Sequence, residues 1–212
     1  MAGAGSRKDR RGAARRLLEA FVPAELERWA ADDAQAWPVL QSLLFDPEPL
    51  VRWRAAETAG RVAAARARRD PEAARDLVRR TLWLMNDESG GILWLGPHVL
   101  GSMLAHVPAL QAEFLPVLAS FLEEEPFRAG ARWGLWRVAL ASPVAVAALA
   151  ASLGPSLRDR DPEVRGLAAL ALATAAGPGP ASAAPDDGAA FELFDPRTGA
   201  LRRVTVREAA GG

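Results

Sequence analysis

Four stretches of the chain carry apolar and small residues at one set of offsets. Pro49-Leu50-Val51-Arg52 leads into Ala55, Ala56 and Ala59, and 113 residues later Pro162-Glu163-Val164-Arg165 leads into Ala168, Ala169 and Leu172. Sliding the first stretch by 41 residues meets Ile92, Trp94, Gly96, Leu100 and Gly101, and sliding it by 76 meets Phe127, Arg128, Ala131 and Leu135. Read as columns, position one is large and apolar (Val51, Ile92, Phe127, Val164) and position five is small (Ala55, Gly96, Ala131, Ala168). Position nine holds Ala59, Leu100, Leu135 and Leu172, and position twelve holds Val62, Met103, Val138 and Ala175. Steps of four, four and three stay on one face of a helix, so each stretch predicts a helix with a buried stripe, and the small fifth residue lets neighbouring helices approach closely.

Second helical patterns fill the intervals, roughly 70–84, 109–123 and 143–156, so each unit is a helical pair. The starts have a physical reason. An Asp side chain accepts from the first free amides, Pro needs no amide partner in the first turn, and Glu complements the positive end of the helix dipole. Asp46, Asp70 and Asp161 are read as such caps. Ahead of the units, Arg16–Phe21 and Glu25–Leu44 read as two or three helices with Leu17, Leu18, Phe21, Leu26, Trp29, Trp37, Leu40 and Leu43 to bury, forming an N-terminal cap over residues 1–45. Terminal units of a repeat array lack a neighbour on one side and need such a cover.

The pairing, the period near 38 residues and the inward Val followed by Arg resemble the HEAT repeat, in particular the short bacterial form of the phycobilisome-lyase-like HEAT family, over roughly residues 46–176. The resemblance implies an all-α fold, a right-handed α-α superhelix of about four units, and structural roles for Arg52, Arg128 and Arg165 in binding carboxylates or carbonyls between helices. It also invites a lyase-type or chaperone-like role in attaching a cofactor to a partner protein. No bilin-specific residue is identifiable, and many unrelated functions share the scaffold.

The composition shifts at Gly177-Pro178-Gly179-Pro180, and residues 177–190 read as a linker. Phe191-Glu192-Leu193-Phe194 and Leu201–Val206 then flank Asp195-Pro196-Arg197-Thr198-Gly199, a hairpin pattern within the final segment 191–212. A lone hairpin is marginal in water, so this one is expected to dock on the array or on a partner, the alternative being a disordered tail.

One segment departs from the repeat. Asn86-Asp87-Glu88-Ser89-Gly90-Gly91 separates Trp83 from Trp94, and Pro97 follows, where the helix must kink or begin again. Capping accounts for one or two of the four polar residues. The phrase looks like that of a bacterial group of HEAT-like proteins in which Asn-Asp-Glu-Ser-Gly-Gly precedes Trp and Pro; glutamates commonly follow the Pro there, whereas this chain has His98 and Ser102. Asn86, Asp87, Glu88, Ser89, Trp94 and His98 are therefore the candidate partner-binding residues, against a purely structural turn.

Composition narrows the function classes. Half of the 212 residues are hydrophobic and a quarter charged, enough for a substantial core. Without a run of about 18 apolar residues no membrane span is expected, and no signal peptide is recognisable, which gives a cytoplasmic expectation. Zero Cys and two His leave no thiolate site and little for a metal. No phosphate loop, dinucleotide fingerprint or nucleophile elbow occurs, so no cofactor is expected and the chain reads as a non-enzymatic scaffold or adaptor for another protein. His98 and His106 read as surface or inter-helix residues. Residues 1–80 hold 16 basic and 12 acidic groups and residues 81–212 hold 10 and 14, with Arg7, Lys8, Arg10, Arg11, Arg15 and Arg16 the densest basic run, read as a frayed, solvated terminus. Nucleic-acid binding is the remaining alternative, and overall neutrality argues against it. Trp53, Trp94, Trp133 and Trp136 recur at first-helix positions, as seam filler or as anchors of a groove.

Overall fold

The computed structural model describes residues 6–86, 92–177 and 188–211, and these are mostly helical with one two-stranded antiparallel sheet. Three helices come first: α1 (Arg7–Ala20), α2 (Pro23–Asp32) and α3 (Ala36–Leu43). The basic run is thus not a frayed end, because Ser6 and Asp9 form a capping box and Arg7 to Arg16 belong to α1. Then follow α4 (Pro49–Ala67), α5 (Pro71–Met85), α6 (Gly96–His106), α7 (Gln111–Ser120) and α8 (Arg128–Ala139). The last stretch has α9 (Pro143–Ala147), α10 (Ala150–Leu153) and α11 (Pro162–Ala176), then β1 (Ala190–Asp195), β2 (Ala200–Thr205) and the short α12 (Val206–Ala209).

The stretches that share the column pattern pack consecutively, α4 on α6, α6 on α8 and α8 on α11. Position five is buried in all four (Ala55, Gly96, Ala131, Ala168). Position nine is buried in three and half-buried at Leu172. Close approach is extreme between α6 and α8, where a Cβ on Gly101 would collide with the backbone of Gly134. The pattern slips at Ile92, which is half-buried and precedes its helix. Of the kink and the restart expected at Pro97, the restart is found: α6 begins at Gly96, with Pro97 in the first turn where its missing N–H costs nothing.

The second helices are less regular than expected. The interval 109–123 is a 3₁₀ turn, α7 and a second 3₁₀ turn; 143–156 is broken into α9, α10 and the start of a third 3₁₀ turn, with Pro143, Gly154 and Pro155 punctuating it. Asp70 and Asp161 cap α5 and α11 by accepting from Glu72 N–H and Glu163 N–H. Asp46 does not cap α4: that position is Glu48, and the fully buried Asp46 carboxylate instead accepts from Arg11 at 2.7 Å and Arg15 at 3.4 Å, tying α1 to the start of α4.

The hairpin pairs Ala190 with Thr205 through Asp195 with Ala200, and Gly199 sits at φ +67, as the turn requires. It lies against the helices. Phe194 stacks on Trp53 with ring centroids 5.4 Å apart and meets Phe21 edge-on at 6.3 Å, Phe191 fills the space above Gly166, and Arg54 Nε donates to Gly199 O at 2.7 Å. The segment therefore touches α1, α4, α8 and α11, the first and last parts of the row. Of the linker, residues 178–187 lie outside the described residues.

Candidate functional site

Asn86 ends α5, and its side-chain amide donates to Leu82 O at 2.9 Å, a local C-terminal cap. Asp87, Glu88 and Ser89 lie outside the described residues. Leu93 N–H donates to Leu84 O at 3.1 Å, joining the segment ahead of α6 to the end of α5. Trp83 and Trp94 each adjoin that bonded pair, and both stand in solvent, 67% and 60% exposed. The chain's other tryptophans are half-buried (Trp29, Trp53) or buried (Trp37, Trp133, Trp136). A large aromatic left in water forgoes the burial that makes it useful to a core, so two at one junction mark that junction out.

His98 is not a surface residue. It is 7% exposed and packs edge-on against Trp53, ring centroids 4.5 Å apart, and beside Trp133 at 5.2 Å. Gly130 makes the room, since a Cβ there would press on the imidazole. Burial pushes the His98 pKa down to about 3, and its Nδ1 has no hydrogen-bond partner. A neutral imidazole enclosed against two indoles cannot reach a partner protein, so the sequence-based candidates divide into exposed Asn86 and Trp94 and buried His98.

Of the three arginines expected to bind carboxylates or carbonyls between helices, Arg128 bridges α8 to carboxylates at the start of α11, and Arg52 and Arg165 donate to loop carbonyls. Arg52 donates to Asp46 O and Pro47 O just ahead of its own helix, and Arg165 donates to Asp159 O in the same relation to α11. Arg128 pairs with Glu125, with Asp159 at 2.6 Å and more loosely with Asp161. Burial raises the Asp159 pKa, but hydrogen bonds from Asp161 N–H and Arg128 outweigh it and hold the carboxyl below its ordinary value.

A polar cluster inside the row escaped the pattern reading. Glu57 on α4 is 1% exposed, and its carboxylate accepts from Arg137 Nε at 2.8 Å, Arg137 Nη2 at 2.9 Å and Ser102 Oγ at 3.0 Å, with Arg61 Nη1 at 3.4 Å. His106 borders it, Nδ1 2.9 Å from Ser102 O and Nε2 3.8 Å from Glu57 Oε1. Its pKa is lowered, by burial first and by Arg137 and Arg61 next, against the pull of Glu57. The slides of 41 and 76 that align the apolar columns put Arg61, Ser102 and Arg137 in one column, and Glu57, His98 and Trp133 in another. Reading those columns for polar residues would have found the cluster. With every lone pair of Glu57 directed at a donor, the arrangement is a structural tie among α4, α6 and α8. Among the described residues no group of three or more His, Asp or Glu is placed to hold a metal ion, and no single helix is long and apolar enough to cross a membrane.

No family model, curated protein or solved structure matches this chain. What fold and site define is thus a mostly helical protein whose pattern-bearing helices pack in series beneath a C-terminal hairpin, with an aromatic junction open to solvent.

Proposed function

We propose that the chain is a HEAT-like right-handed superhelix acting as a non-enzymatic scaffold or adaptor, and that a protein partner meets it at the junction of α5 and α6 around Trp83 and Trp94. The exposure of those two indoles, when every other tryptophan is at least half-buried, is the observation that carries the reading. Interface hot spots are enriched in Trp because one side chain brings a large apolar area with few rotors to immobilise. The consecutive packing of α4, α6, α8 and α11 supports the superhelical part of the proposal. The groups found inside the row serve packing: His98 is neutral and enclosed, and Glu57 is saturated with donors.

The test is capture by the full chain and by a Trp83→Ala/Trp94→Ala double variant, followed by titration of each captured protein, purified, against both. Because both side chains are exposed, the variant should keep its stability to within about 0.5 kcal/mol. A partner at this junction should lose at least about 30-fold in affinity, the size of one hot-spot truncation. Partners that bind both forms equally would overturn the assignment of the surface. Salt-sensitive retention on DNA, or a chromophore carried by the purified chain, would replace the scaffold reading with the nucleic-acid or cofactor-attachment reading.

A further inference from the structure

Arginines with restricted exposure are partnered throughout the described residues. Arg11 and Arg15 reach Asp46, Arg52 and Arg165 reach loop carbonyls, and Arg54 reaches Gly199 O, Leu18 O and Glu19 O. Arg61 and Arg137 share Glu57, Arg66 reaches Ala34 O, Arg75 pairs with Glu72 and Glu113, Arg128 with Asp159, and Arg132 holds Ser156 and Leu122 O. Arg10 is the exception: it is half-buried, and its guanidinium makes no hydrogen bond or ion pair. The Arg10 side chain is held against the protein while its guanidinium keeps all its donors uncommitted, so it is free to take an anion.

Arg10 lines a cleft of about 390 Å³ between α1 and α3, together with Arg7, Arg11, Gln35, Pro38, Val39 and Ser42. Its polar wall is rich in donors and poor in acceptors. Arg7 and Arg10 have no carboxylate partner, the Gln35 side-chain amide is unengaged, and the nearby carboxylate of Asp46 is already committed to Arg11 and Arg15. Ser42 has turned its hydroxyl hydrogen to Val39 O at 2.7 Å. Pro38 and Val39 supply an apolar wall beside the cationic one. The volume falls within the range of small-molecule sites, roughly 300–1,000 Å³.

We propose that this cleft is a binding site for a small organic anion, a phosphate or carboxylate group held by the fork of Arg10 with Arg7, its apolar body against Pro38 and Val39. A planar guanidinium matches two oxygens of such a group at once, which a lysine at the same place would not. The site is independent of the Trp83–Trp94 surface.

Phenyl phosphate, inorganic phosphate and a short DNA duplex are titrated into the full ¹⁵N-labelled chain while amide shifts are followed. Phenyl phosphate should saturate with a dissociation constant on the order of 1 mM or better, tighter than inorganic phosphate, moving amides of α1 and of residues 35–42. Arg10→Ala should weaken it about tenfold, and Arg10→Lys should recover only part of that, since the charge returns without the fork. Arg16→Ala, an exposed arginine outside the cleft, should leave binding unchanged, which separates the site from general attraction to a basic helix. Shifts that are absent, that map elsewhere, or that persist unaltered in Arg10→Ala would overturn the proposal. Tighter binding of the duplex than of phenyl phosphate at equal phosphate concentration would overturn it too, in favour of a nucleic-acid face. An Arg10→Ala chain that lost its fold would break the premise that Arg10 has no structural partner, and Arg10→Lys then reads the site.

Discussion

Arg137 on α8 reaches past α6 to give two hydrogen bonds to Glu57 on α4, at 2.8 and 2.9 Å. The middle helix permits it by being thin at that level, where Ser102 adds a third hydrogen bond and Gly101 lets α8 press close. Three helices are thereby tied at one carboxylate.

Removing one member of a buried pair strands the other, which typically costs ~3–5 kcal/mol. Glu57→Ala and Arg137→Ala should each lower stability by about that much in denaturant unfolding, and the double variant should cost clearly less than the sum. Additive losses would show that the two residues do not act as a unit.

Gly101→Ala is expected to be at least as damaging as the worst overpacking substitutions, ~3 kcal/mol or more, because its methyl meets backbone rather than a side chain that could turn away. Gly154→Ala is the control. Nothing lies within 4 Å of a Cβ there and its φ is −52, so it should be neutral or stabilise by ~0.4–1 kcal/mol.

Of the fold, the columns reading Val51, Ala55, Ala59 and Val62 and their counterparts were legible because burial demands a period, and so was the hairpin, because Gly199 punctuates it. The N-terminal helix was half-missed: the run Arg7 to Arg16 looks like a solvated tail until Ser6 and Asp9 are recognised as a capping pair and Asp46 as the anion that receives Arg11 and Arg15, a relation across about 30 residues that no local pattern carries. Of the site, Trp94 was named and Trp83 was seen only as a flank, since exposure is a tertiary property. Of the two places open to His98, surface or between helices, the structure takes the second, and the room for it comes from Gly130 in a different helix, which no local pattern carries.

Stability should fall as the pH drops from about 6.5 because burial lowers the pKa of both histidines, a decline that Glu163, whose pKa burial raises, opposes at the acid end. The folded pKa of His98 is about 3, far below its unfolded value, so the unfolded chain takes up a proton that the native chain refuses. His106 is shifted in the same direction. Each contributes a slope of at most ~1.4 kcal/mol per pH unit between its two values. Urea unfolding at pH 7, 6 and 5 should show this decline, and His98→Asn should flatten it. An unchanged slope in the variant would place the titration elsewhere.

Trp133 donates its indole N–H to Phe194 O at 2.9 Å, beneath the hairpin. Trp133→Phe would leave that carbonyl buried without a donor, an expected cost of ~1–3 kcal/mol. In a chain ending at residue 189, Trp53 and Trp133 should become accessible, read as increased acrylamide quenching relative to the full chain. Equal quenching would mean the hairpin does not cover them in solution.

A two-stranded clasp fastened at one end to Phe21 and Arg54 and at the other to Gly166 has a fixed span. Neighbouring helices sit ~8–10 Å apart, so one more helical pair placed between α6 and α8 would carry the anchor points out of reach of each other. The ribbon's reach thus matches the separation of the helices it bridges, from the end of α1 to α11.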